Sequence, residues 1–156
     1  MKEQIIKWMT DFVEQPNAKL GNWMPCPFAR RARLENKIEI VKGEDAFNDC
    51  LRELDWSDKD VYVFWYPTEQ YTGQQITDLT KQLNERLMPM NIVVLDDHPD
   101  NIETINEVVM NFGQATLLIV QQLDELTRAS EQLKQKGYYD HWSKHNLDEV
   151  VNWRDR

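Results

Sequence analysis

Residues 61–66, Val-Tyr-Val-Phe-Trp-Tyr, are β-branched or aromatic at every position, and Pro67 closes the run. A segment with no polar face demands a place inside a sheet that is covered on both sides. That demand shapes the rest of the chain, which must supply helices for both faces. Residues 3–14 place Ile5, Trp8, Met9, Phe12 and Val13 at helical spacing, and residues 46–54 do the same with Ala46, Phe47, Cys50, Leu51 and Leu54. Thr72 and Gln75 form a capping box ahead of Ile76, Leu79, Leu83 and Leu87, which predicts a third helix.

Further strands fit between these helices. Lys37-Ile38-Glu39-Ile40-Val41 alternates like a short strand before Lys42-Gly43, and residues 92–95 are continuously apolar. Beyond Pro99, Asp100 and Glu103 suit the start of a helix burying Ile102, Ile105, Val109 and Phe112 and stopping at Gly113. Residues 115–120 read either as a fourth strand or as the first turns of a long helix through Leu123, Leu126 and Leu133. Strands alternating with helices predict an α/β fold, a three- or four-stranded, mainly parallel sheet covered by helices. The whole chain, 1–156, reads as one domain, with the polar tail 137–156 packing over the body.

Composition narrows the function classes. The formal net charge is −9, and the main basic cluster is Arg30, Arg31 and Arg33, so nucleic acid is not an expected partner. No apolar run approaches the ~20 residues of a membrane span, and the N-terminus lacks a secretory leader, so a cytoplasmic location is expected. The five glycines are scattered, so no nucleotide-binding fingerprint exists, and Gly-x-Ser-x-Gly is absent. The residues name no cofactor.

Two segments hold the chemistry. In Trp23-Met24-Pro25-Cys26-Pro27-Phe28-Ala29-Arg30-Arg31-Ala32-Arg33, a helix starting at Pro27 would set Cys26 at its cap. Amide dipoles and three arginines would then ease loss of the thiol proton. Arg30, Arg31 and Arg33 would hold a small anionic molecule. The competing reading makes Cys26 a small buried hydrophobe, as Cys50 is on its apolar helix stripe. In Asp96-Asp97-His98-Pro99, at the expected carboxyl end of a strand, Asp97 could orient His98 as a base for Cys26. Alternatively, His98-Pro99 simply opens a loop. His141 and His145 stand four apart, a spacing that can hold a metal but more commonly marks a solvated helix face; no metal site is expected.

Cys26-Pro27-Phe28-Ala29-x-Arg31 resembles the active-site turn of glutaredoxin-like domains, particularly omega-class glutathione transferases. The resemblance covers six residues and implies a Cys that opens a helix and forms a mixed disulfide with glutathione. The Val-Pro pair that leads the family's glutathione-holding strand has no counterpart, and Ala29 stands where a dithiol would need a second Cys. Cys26-Pro27-Phe28-Ala29 with Arg33, the strand at 61–66 and His98-Pro99 also resemble, in order and rough spacing, an uncharacterised bacterial family known as a domain of unknown function. That family's Asn-Arg-Ser-Pro loop is missing here, and it has no assigned activity. Three functions follow as expectations: a thiol-dependent enzyme using Cys26 with His98, a non-catalytic binding or interaction module using exposed Trp and Tyr, and a glutathione-type monothiol module. For the second, Trp142 and Trp153 in the tail offer a homodimer or partner surface.

Overall fold

The computed structural model describes residues 1–155. The chain opens with α1 (Lys2–Trp8), which loosens into a π-helical turn at Met9–Val13 and closes with the amide of Glu14 donating to the carbonyl of Met9. After an irregular segment come α2 (Ala29–Leu34), β1 (Ile38–Lys42), α3 (Ala46–Leu51), β2 (Val61–Tyr66) and α4 (Gly73–Leu87). The Thr72–Gln75 capping box is present in both directions. Next come β3 (Ile92–Asp97), the short strands β4 (Thr104–Ile105) and β5 (Val108–Val109), β6 (Thr116–Gln122), α5 (Leu123–Gln135) and α6 (Lys144–Val150).

The fold is mixed α/β, and its sheet corrects the expectation of mainly parallel strands. Four strands lie in the order β1-β2-β6-β3; β1 and β2 are parallel, while β6 runs antiparallel to both neighbours. The crossover through α4 sets β3 one strand-width away from β2, and β6 fills the gap. A continuous apolar run cannot distinguish these cases, because a central strand buried on both faces looks the same in either direction. Of the two readings of residues 115–120, the strand is the one found.

A second correction falls at residues 102–112. They form a hairpin instead of a helix: Thr104 pairs with Val109 and Ile105 with Val108, across Asn106 and Glu107. Both turn residues have positive φ, 49° and 69°, as a two-residue hairpin turn requires. Ile105 and Val108 are both buried, three apart, which in sequence imitates a helix face.

Alternation along β2 sorts the core. Tyr62, Phe64 and Tyr66 face α3 and α4 with Leu118 and Val120; Val63 faces the N-terminal helix with Ile5, Met9, Val13 and Leu117. A third cluster joins Leu20, Ile105 and Val108 to Trp142 and Val150. At the β3 edge, the side-chain amide of Asn84 on α4 donates to the carbonyl of Val94 (2.9 Å) and accepts from its amide (2.8 Å). No described helix is long and apolar enough to cross a membrane.

Candidate functional site

The Cys26 turn is firmly anchored. The Cys26 amide donates to Val13 at the end of the N-terminal helix, and the Tyr138 hydroxyl donates to the Pro25 carbonyl at 2.6 Å. The helix after it is shorter than expected: Phe28 is the capping residue, so Pro27 lies outside α2 and Cys26 is not at the cap. Nor do the arginines gather on the sulfur. Arg33 clasps Glu14 through two hydrogen bonds of 2.7 and 2.8 Å, and the Glu14 side chain is only 3% exposed. Arg31 reaches Glu35 one turn along at 2.9 Å. Arg30 is exposed and has no ion pair among the described residues; with Thr10, Glu14 and Arg33 it borders a small cavity of about 370 Å³ that Cys26 does not line.

Electrostatics follow from that pairing. The Cys26 residue presents surface to solvent, yet crowding by protein around its thiol pushes the pKa up. The amides of Phe28 and Ala29 pull the other way, and the Glu14 carboxylate adds to the rise. Water reaching the residue moderates the effect of crowding, but no cation is left to reverse it. Cys50 is 1% exposed in the core, as its helix stripe predicted, and burial raises its thiol to about 12.

His98 is 2% exposed, and both ring nitrogens are occupied. Nε2 lies 2.8 Å from the carbonyl of Tyr71, and Nδ1 lies 3.0 Å from the amide of Asp100. These partners select the neutral tautomer in which Nε2–H donates and Nδ1 accepts. Asp97 does not orient the ring. Its two oxygens accept from Asn111 (2.9 Å) and from the Phe112 amide (3.0 Å). Asp100, expected to cap a helix, instead closes a turn onto His98. Cys26 and His98 share no cavity wall or hydrogen-bond partner among the described residues.

A larger concavity lies elsewhere. A cavity of about 720 Å³ opens at the carboxyl end of β3, bounded by α4, the loop to the β4–β5 hairpin, the N-terminal helix and the C-terminal segment. Trp8, Met88, Met110, Ile119, Val150 and Trp153 supply apolar wall, while Asp96, Asp97, Glu103 and Glu149 supply carboxylates. Among the described residues Lys81 is the one basic residue on the lining, and it is itself exposed. Asn111 frames the loop, accepting from the Glu103 amide at 2.7 Å and donating to Asp97 and to the carbonyls of His98 and Asn101.

Asp97 is thus engaged by the scaffold, but Asp96 and Glu103 make no ion pair and accept no hydrogen bond from another residue's side chain among the described residues. Burial raises the pKa of Asp96, the Asp97 charge adds to the rise, and His98 opposes it. Burial also raises Asp97, against the Phe112 and Asn111 hydrogen bonds. Glu103 is raised by partial burial and then by Asp97, Asp96 and Glu149; its open flank to solvent softens that rise. On the α4 wall, Thr80 is 7% exposed, and its Oγ1 has no hydrogen-bond partner.

Sequence reasoning reached Asp96 and Asp97 through the logic of strand ends. It assigned Glu103 to a helix cap and Trp8 to the core, and gave Thr80 no role. The unbalanced acids of this stretch, with no arginine or lysine beside them from 95 to 107, were the available signal. Trp153, expected on a partner surface, lines the cavity, and Trp142 packs at a tilt against Tyr138 and edge-on against Tyr139. His145 lies 3.6 Å from Glu149, and no group of three or more His, Cys, Asp or Glu among the described residues could hold a metal ion. No protein-family model, curated protein or solved structure matches the chain.

Proposed function

We propose that this protein is a binding protein for a small molecule, which it holds in the cavity at the carboxyl end of β3. One observation carries the reading. A single large concavity combines an apolar wall bearing two indoles with carboxylates fixed at a strand end. Its volume falls within the roughly 300–1,000 Å³ typical of ligand sites, and its make-up matches theirs, mostly apolar with a few convergent polar groups. Loop residues beyond strand ends are free to vary while the sheet stays fixed, which suits a site grafted on a scaffold.

This reading develops the interaction-module expectation. The thiol-enzyme and glutathione readings both need a stabilised thiolate at Cys26. The Glu14–Arg33 and Arg31–Glu35 pairs occupy two of the three arginines they relied upon, so they are the weaker proposals.

The test uses the indole N–H resonances of the six tryptophans. Titration with a neutral aryl alcohol, 2-phenylethanol, is expected to shift two of them, identified as Trp8 and Trp153 by the Trp8→Phe and Trp153→Phe variants. Shifts confined to other tryptophans, or none at millimolar probe, would dismiss the cavity as a binding site.

A further inference from the structure

The carboxylates at the mouth of β3 present an unbalanced charge. Asp97 accepts two hydrogen bonds, but Asp96 and Glu103 border the cavity without an ion pair among the described residues, and Glu149, which is paired with His145, borders the same space. A partly buried anion such as Asp96 is costly without a partner, and the cost is relieved by a cation that enters with its own charge. The group is too dispersed for an inorganic ion, since no three of these acids make a metal-ligand set. Trp8, Trp153 and Met110 also line the cavity; they suit an apolar body, and indoles attract positive charge through the ring quadrupole.

We infer that the ligand is a small organic cation, an arylalkyl-ammonium, with its charged head between Asp96 and Glu103 and its apolar body against Trp8 and Trp153. The inference rests on the cavity being a binding site, and it adds the class of molecule. Lys81 and Glu85 stand exposed at the rim and offset one another, so the net field inside remains that of the acids.

The deciding experiment compares isosteric probes on the intact protein: 2-phenylethylamine, 2-phenylethanol and 3-phenylpropanoate, read by the same indole resonances and by calorimetry. The amine is expected to bind about tenfold or more tightly than the alcohol, with the carboxylate weakest, as charge-assisted hydrogen bonding dictates. In the Asp96→Asn/Glu103→Gln double variant the advantage of the amine over the alcohol should disappear. Equal binding of amine and alcohol would overturn the cationic assignment and leave the binding site standing. Failure of all three probes would remove both. Magnesium or calcium producing the same indole shifts would overturn it in favour of an inorganic ion, and tighter binding of N-acetyl-lysine amide than of the arylalkylamine would reassign the site to a partner's side chain.

Discussion

The turn at Cys26 and the strand end at Asp96 both set charged side chains beside apolar wall, and they handle charge in opposite ways. Around Cys26 the two signs are matched within the protein. Arg33 takes Glu14 in a two-pronged clasp and Arg31 takes Glu35, so the nearest fixed charge felt by the sulfur is a carboxylate. Around Asp96 the signs do not balance among the described residues: several acids converge on a lining whose one basic residue is Lys81. The Cys26 segment draws attention by residue type, while the strand end draws it by unmet demand. Only the second arrangement leaves work for a ligand, because an unmatched group gains from a partner and a matched one does not.

The sharpest way to break this comparison is cysteine labelling. Cys26 is open and Cys50 is 1% exposed with its thiol raised to about 12. In the folded protein Cys26 should react with iodoacetamide at or below the rate of an unactivated peptide thiol, while Cys50 reacts only on unfolding, several orders of magnitude more slowly. Faster-than-peptide alkylation of Cys26 would restore the thiolate reading and erase the contrast.

Next in size is the cost of unmatching the charges at the first region. Arg33→Ala leaves the Glu14 carboxylate buried without its clasp and should destabilise by about 2–3 kcal/mol, below the full cost of a wholly buried pair because Arg33 is partly exposed. Arg30→Ala, at an exposed position without an ion pair, should stay within about 0.5 kcal/mol in urea denaturation. Equal effects would mean that the clasp is not what holds this turn.

The smallest effect has the opposite sign. A carboxyl whose folded pKa is raised keeps its proton longer in the native state, so it costs stability as pH climbs from the unfolded value, about 4, through the folded one. Asp96→Asn removes that cost. The variant should melt slightly above the parent at neutral pH and show no gain near pH 3, where both carboxyls are protonated. A lower melting temperature at neutral pH would show that the Asp96 charge is already satisfied.

How much of this could be read from the sequence depends on range. Local physics was legible: the all-apolar run of β2, the reciprocal Thr72–Gln75 cap and the burial of Cys50 follow from neighbours within a few residues. The insertion of β6 between β2 and β3 depends on contacts some fifty residues apart in the chain, and apolar periodicity carries no partner identity. The hairpin at 104–109 was masked because its inward residues, Ile105 and Val108, fall at a spacing that helices share. For the site, Asp96 and Asp97 were legible as a strand end, whereas Thr80 and Trp153 join them only through tertiary packing. The arginines misled for a simple reason: Arg33 answers to Glu14, nineteen residues away, and not to its sequence neighbour Cys26.

The pairing of Asn84 with Val94 has a consequence for the molecule in a crowded solution. β3 is an outer strand of the sheet, and its outward amide and carbonyl at Val94 are occupied by a side chain in the geometry another chain would offer. A second molecule cannot zip onto that position without first displacing the amide group, so the border is sealed against runaway self-association. Asn84→Ala would unseal it, turning a finished boundary into a template on which fibrils can grow.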